Sequence, residues 1–505
     1  MKNPLKTRLV SLFLFLLFTI SGYAQRIEVT VGPVVDPKQI RKEAGIPKVV
    51  VGVPFKGFSY SSTHFFHPAK KRTYSGFGID NKAFKFAVLE NYLTYNGVKK
   101  LTSETINEKV SLNAFIFLKD KLYVLFSQKF SDRDEFTVYV NEVSEEMVAL
   151  GSPVPLHTFK DLKKCGMTVF VSSSEDKNYI MISRLYDTKA KEKQKIEFKV
   201  FDDSFSEVWY KLLETEDMDK DLEVQSIDID KTGNMHMLVV SDVGKVKKPV
   251  IYSYFWSGKS LKTFNLGLTT GENFGTRLKL LNSEKPYAVG LNKNGKKVSY
   301  FVNRIDVKSQ ALENLSSTAM PEDFYEDSNI RTFDTFDWGV SDIVTLEDNS
   351  IVASIEAALL DTKYRVYHTY NTYVVSFSET GSKKWSKVVQ KKQVVVDGMH
   401  GHALLPAGNN VLVVYNDHKD NINKKPTDKK VDVFKSKDAM IVVQEFDATG
   451  NVKKYPFSKD KKLDGFALFF TMMHKIEKGL YYSACINIKG LMSVDSKNLT
   501  FQIKP

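Results

Sequence analysis

The chain has 505 residues, of which 42% are hydrophobic, 12% aromatic and 26% charged, with a net charge of +12. That balance excludes wholesale disorder and a polytopic membrane protein. With 27 Gly, 15 Pro and two Cys, a collagen-like chain, a disulfide-stapled scaffold and a multi-cysteine zinc module are excluded as well.

The first residues read as a secretory leader. Lys2, Lys6 and Arg8 are followed by an apolar run from Leu9 to Ile20, then by Gly22-Tyr23-Ala24, small residues at the two positions a signal peptidase reads. Residues 1–24 are therefore expected to be removed, with the cut before Gln25, leaving 25–505 as one domain. The apolar run is short of the ~20 residues a spanning helix needs, and no later stretch reaches that length, so no transmembrane segment is expected after cleavage. The expected location is periplasmic or extracellular. Cys165 and Cys485 each sit in an apolar strand-like run and read as buried single thiols rather than a pair.

Beyond residue 25 the pattern is short apolar or alternating runs separated by Asp, Asn, Gly and Lys turns, with almost no helical period. The runs group in fours. Residues 58–103 form a first unit, blurred at its start but ending in AFKFAVLENYL and GVKKLTS. Residues 112–150, 164–213, 222–268, 273–316 and 338–390 repeat the four-run meander, and HALLPAGNNVLVVYNDH with DAMIVVQEFDATGNVKKYPF makes another. Residues 464–503 supply only three runs. The missing fourth is expected from RIEVTVG (26–32) or KVVVGVP (48–54). The fold class is all-β: a single closed β-propeller of four-stranded blades, eight favoured with seven as the alternative, its last blade completed by an N-terminal strand. A string of β-sandwich domains is disfavoured, because linkers and Greek-key spacing are missing.

The turn between third and fourth strands is clearest in VVSFSETGSKKWSKVV, with degenerate copies at Phe201-Asp202-Asp203 with Trp209 and at Phe446-Asp447 with Gly450 and Tyr455. This turn-then-Trp pattern resembles quinoprotein-like propeller repeats. The resemblance covers the repeat core. It implies the non-enzymatic members that scaffold protein assembly at membranes, and no quinone cofactor.

In such a blade the first-to-second and third-to-fourth turns share one face, while the second-to-third loops and the connections between blades share the other. The former look short. The latter carry insertions: 184–195, 241–249, 291–298 and 416–438 between second and third strands, and 211–223 and 313–337 between blades. The second-to-third loops sum to about +11 and the blade connections to about −8, which predicts a basic rim around an acidic channel mouth. Insertions gathered on one face mark a binding side.

Two clusters are candidate metal ligands. Asp217, Asp219 and Asp221 alternate, with Glu223 and Asp228 following in a register like a calcium loop, although Leu222 stands where the sharp turn needs Gly. His400 and His402 alternate after Asp397, so a strand there would put both rings on one face, with His418 as a distant third. His64 and His67 are a weaker pair in an expected loop. No phosphate cradle, G-x-S-x-G elbow or H-E-x-x-H motif occurs. Nucleic acid as a partner is disfavoured by the location and by the absence of aromatics among the basic loops. The expectation is a non-enzymatic module, without catalytic residues, that binds a protein or an anionic envelope polymer. The alternative is a channel-mouth hydrolase of glycans or peptides, or a metal-dependent activity.

Overall fold

The computed structural model describes residues 27–35, 64–67, 71–79, 83–91, 93–101, 110–130, 133–160, 169–186, 195–214, 223–243, 246–281, 285–295, 297–321, 337–362, 366–395, 399–424, 434, 438–459, 461–470, 473–490 and 493–504. The leader, the segment 48–54, Cys165, Asp397 and the triplet Asp217, Asp219 and Asp221 lie outside them. Among the described residues no helix is long and apolar enough to cross a membrane.

After β1 (Ile27–Val35) the chain lays down one antiparallel meander after another. The first sheet holds β2 (His64–His67), β3 (Arg72–Ile79), β4 (Ala83–Glu90) and β5 (Thr94–Lys100). The second holds β6 (Val110–Leu118), β7 (Lys121–Phe130), β8 (Glu135–Val143) and β9 (Ala149–Lys160). The third holds β10 (Phe170–Ser173), β11 (Tyr179–Tyr186), β12 (Lys195–Asp202) and β13 (Glu207–Glu214). The fourth holds β14 (Glu223–Ile229), β15 (Met235–Val243), β16 (Val246–Phe255) and β17 (Ser260–Asn265). The fifth holds β18 (Glu272–Leu281), β19 (Lys285–Asn294), β20 (Lys297–Asp306) and β21 (Ala311–Ala319). The sixth holds β22 (Asp337–Thr345), β23 (Ile351–Asp361), β24 (Val366–Phe377) and β25 (Lys383–Val389), with the short β26 (Gln393–Val395) added beside β24. The seventh holds β27 (His402–Ala407), β28 (Asn410–His418), β29 (Ala439–Phe446) and β30 (Val452–Pro456). In the eighth, β33 (Leu480–Gly490) pairs on one side with β31 (Ala467–Leu468) and β32 (His474–Glu477), and on the other with β34 (Ser493–Ile503).

β1 completes that last sheet. It runs antiparallel to β34, from Ile27 opposite Ile503 to Val35 opposite Ser496. Of the two candidate N-terminal segments, RIEVTVG therefore overlaps the outer strand. First strands of successive sheets lie against one another, and a cavity opens among those of the third to eighth sheets. The arrangement is that of a β-propeller.

Burial explains the sequence pattern. Second and third strands are covered on both faces by the neighbouring sheets, so β11, β23 and β28 are buried almost without interruption. Such strands read as continuous apolar runs rather than alternating ones. Outer strands alternate weakly, and β9 and β21 are largely exposed. Each seam from the first-to-second to the seventh-to-eighth sheet has its own apolar cluster. The largest joins Tyr300 and Val302 of the fifth sheet to Ile355, Tyr373 and Phe377 of the sixth.

Two expected loops are corrected. Residues 241–249 and 291–298 were expected to bulge as basic insertions. Instead β15 and β16 run on to a tight hairpin at Val243 and Val246, and β19 and β20 to one at Asn294 and Lys297. In the first of these the register sets Lys247 opposite Asp242. His64 and His67 likewise fall in β2 rather than a loop.

The turns are built by Asp. In Asp230–Asn234 one Asp230 carboxylate oxygen accepts the backbone N–H groups of Thr232 and Asn234, at 2.8 and 2.9 Å. Asp447–Asn451 repeats the same bonds at the same distances. A carboxylate that mimics the backbone acceptor closes a turn locally, which is why D-x-T-G-N punctuates the repeats. A Trp from the preceding sheet then lies on the turn. The indole N–H of Trp209 in β13 donates to the Gly233 carbonyl at 2.9 Å.

Candidate functional site

The central cavity has a volume of about 1040 Å³ and is bordered by residues of β14, β18, β22, β27 and β32. First strands form it because each meander starts at the axis and steps outward. Its charged lining is balanced: Glu175, Asp228 and Asp342 against Arg277, Lys279 and Lys475. Phe470, Met473 and Tyr481 add an apolar side.

Lys279 and Asp342 bridge β18 and β22 at 2.7 Å. Arg277 donates to the Ser341 carbonyl at 2.6 Å. Burial pushes the Asp228 carboxyl above the ordinary carboxylate range, and His236, Arg277 and Lys279 pull it partly back. Burial also pushes the Tyr481 hydroxyl up to about 12, helped by the negative charge of Asp342.

Beside the cavity, the seam of the sixth and seventh sheets seals a polar cluster. Glu356 on β23 takes Lys391 on one carboxylate oxygen and His402 Nδ1 on the other, the latter at 3.1 Å. Lys391 also reaches Thr369 and Gln393, both at 3.4 Å. The Gln393 amide ties the start of β27 to β28, accepting from Gly401 N–H at 2.9 Å and donating to the Asn416 carbonyl at 2.7 Å. Burial alone would raise the Glu356 pKa; Lys391 and His402 outweigh it and hold it down to about 2. A buried ion pair with both ends saturated sets geometry between elements more than it adds net stability.

A second sealed cluster lies in the fourth sheet. His236 Nδ1 meets Ser253 Oγ at 2.8 Å, and its Nε2 meets Asp230 at 3.2 Å. The connectivity is that of a Ser-His-Asp triad, but all three are at most 1% exposed, so no substrate reaches the hydroxyl. Its effect is to fasten the Asp230 turn to β16.

The two histidines singled out from sequence are sent to different partners. Strand β27 begins at His402, and Gly401 before it adopts φ +86°. That left-handed residue breaks the alternation that would have aligned the rings. The His400 ring stacks on Tyr367 at 4.0 Å, whereas the His402 ring is fully buried against Glu356 and meets Ser341 Oγ at 3.3 Å. His418 caps the short helical turn Lys419–Asn423, accepting from Asp420 N–H at 3.3 Å. Asp228, the twelfth residue of the calcium-like register, is in β14 on the cavity wall. Among the described residues no group of three or more His, Cys, Asp or Glu is placed to hold a metal ion.

Sequence reasoning did not single out Glu356, Lys391, Gln393, Arg277 or Asp342. Glu356 had a signal, as a lone carboxylate inside the apolar run SIVASIEAAL. Lys391 had none, because it sits in a lysine-rich stretch that reads as a solvated turn.

No family model matches the chain, and no curated protein matches it. Several solved structures are loosely similar. Prolyl oligopeptidase B from Galerina marginata aligns at 9% identity and TM-score 0.39, over 89% of this chain and 57% of that one. The chain thus spans a little over half the length of that enzyme. A polysaccharide lyase aligns at 10% identity and TM-score 0.38, over 78% of this chain and 90% of the lyase. Sqt1 from Chaetomium thermophilum, solved with the N-terminus of a ribosomal protein, aligns at 11% identity and TM-score 0.39, over 88% of this chain and 98% of Sqt1. These scores are low, so the fold rests on the chain's own sheets and their order.

Proposed function

We propose that the chain is an exported, non-enzymatic β-propeller of eight blades, its ring closed by β1, that docks a protein or anionic envelope polymer on one face. The supporting observation is where the long connections fall. First-to-second and third-to-fourth strand turns span only two to five residues in the first seven sheets. Longer connections, among them β11 to β12, β28 to β29, β13 to β14 and β21 to β22, are brought by the meander to the opposite face. A rigid scaffold that keeps one face tight and lets the other vary presents a recognition surface. The sequence between β28 and β29 carries Lys424, Lys425, Lys429 and Lys430. Clustered charge of this kind speeds and orients encounter with an anionic partner.

The test is affinity capture from an envelope extract with the immobilised mature chain. A partner should be held at about 50 mM salt and released near about 500 mM, as screening predicts. Changing the four lysines to Ser should abolish capture, whereas changing Lys119 and Lys231 on the tight-turn face should not. Capture indifferent to both sets of changes would refute the docking face. N-terminal sequencing of the exported product checks cleavage before Gln25.

A further inference from the structure

We infer that the central cavity binds a small zwitterion, an amino acid or short peptide, with Arg277 taking its carboxylate and Asp228 its ammonium group.

The cavity, at about 1040 Å³, is slightly larger than the about 300–1000 Å³ that small-ligand sites usually occupy, so it has room for such a ligand. Its charges are not all spent on one another. Lys279 and Asp342 neutralise each other at 2.7 Å. Arg277, one strand position pair away on β18, gives a single N–H to the Ser341 carbonyl and forms no ion pair with any described residue. A guanidinium carries five N–H donors in a planar fork that matches a carboxylate edge-on. Asp228, on the adjacent first strand β14, also forms no ion pair among the described residues, although it is partly withdrawn from water. The two are near enough for the Arg277 charge to act on the Asp228 carboxyl, yet they do not meet. A desolvated carboxylate without a cationic partner is costly, and an ammonium group placed between it and the cavity centre would supply one.

The balance of the wall selects the ligand class. Three acidic and three basic side chains border the space. A phosphate or sulfate would gain from the bases and lose to the acids. A molecule with both signs gains from each. Phe470, Met473 and Tyr481 offer apolar contact to a short peptide's side chains.

Isothermal titration calorimetry on the full mature chain decides the matter. The probes are L-alanine, trialanine, N-acetyl-trialanine, trialanine amide and inorganic phosphate. Alanine or trialanine should bind at one site, the responding probe showing whether a free amino acid or a peptide fits. Either cap on the peptide, or either variant Arg277→Gln or Asp228→Asn, should weaken binding by about tenfold or more. In Arg277→Gln the amide cap should make no further difference while the acetyl cap still weakens the residual binding, a pattern that loss of folding would not produce. Melting curves of both variants should match the parent. The inference is overturned by no heat from either zwitterion at about 10 mM, by equal affinity for capped and free peptide, or by phosphate binding as tightly as trialanine.

Discussion

Trp385 in β25 of the sixth sheet lies directly on Gly450 in the third-to-fourth turn of the seventh. A Cβ at Gly450 would come within 2.8 Å of the indole Cγ, and the residue's φ is +84°. The outer strand of one sheet thus reads the turn of the next, as Trp209 does at Gly233.

Gly450→Ala should therefore lose stability twice, through the left-handed backbone and through the clash, by about 2–4 kcal/mol in urea unfolding. In a Trp385→Ala background the clash disappears, and the same substitution should cost only about 1 kcal/mol. Equal costs in both backgrounds would mean the indole does not bear on the turn.

Glu356→Gln should be among the most damaging single changes in the chain. It leaves the Lys391 charge sealed in the seam, at about 3–5 kcal/mol. Glu356→Gln combined with Lys391→Met removes both charges and should recover most of that loss, measured in the same denaturant series.

The same pair sets an acid limit. Glu356 has its folded pKa held down to about 2 from an ordinary 4.5. A depressed carboxylate contributes fully above its unfolded value, so the contribution is intact above pH 4.5 and drains as pH falls towards 2. Thermal melts from pH 6 to pH 2, conditions spanning about that window, should show a steeper drop in the parent than in the Glu356→Gln, Lys391→Met variant.

Cys485 is buried in β33, free, and burial pushes its thiol up to about 12. It should resist a maleimide in the native chain at neutral pH and react only in denaturant, as mass spectrometry would show. Fast native labelling would place that seam open to solvent.

Deleting 27–35 should expose the β34 edge of the eighth sheet, lower the melting temperature and promote association. Size-exclusion chromatography with light scattering reads the association. A deletion variant that stays monomeric and melts unchanged would show that β1 adds nothing to that sheet.

Much of the fold was legible because strand periodicity is a local property. Runs such as VLVVYN and the D-x-T-G-N turns carry their conformation in adjacent residues, so the grouping in fours and the incomplete last unit could be read directly. The hairpins at 243–246 and 294–297 were misread because lysine-rich residues look like loops, whereas here the two strands go on pairing almost to the turn. The histidine pair was misread for a different reason. Alternation was assumed across Gly401, whose positive φ is a backbone choice the neighbouring residues do not announce.

What the amino-acid order determined alone is the repeated meander, its apolar middle strands and the Asp-built turns, since each depends on contacts within a few residues. Tertiary structure decided which charges meet: Glu356 with Lys391 and His402, Lys279 with Asp342, and Arg277 near but apart from Asp228. Those relations join strands dozens of residues apart, and only the packing of one sheet against the next brings them within reach of a Coulomb interaction.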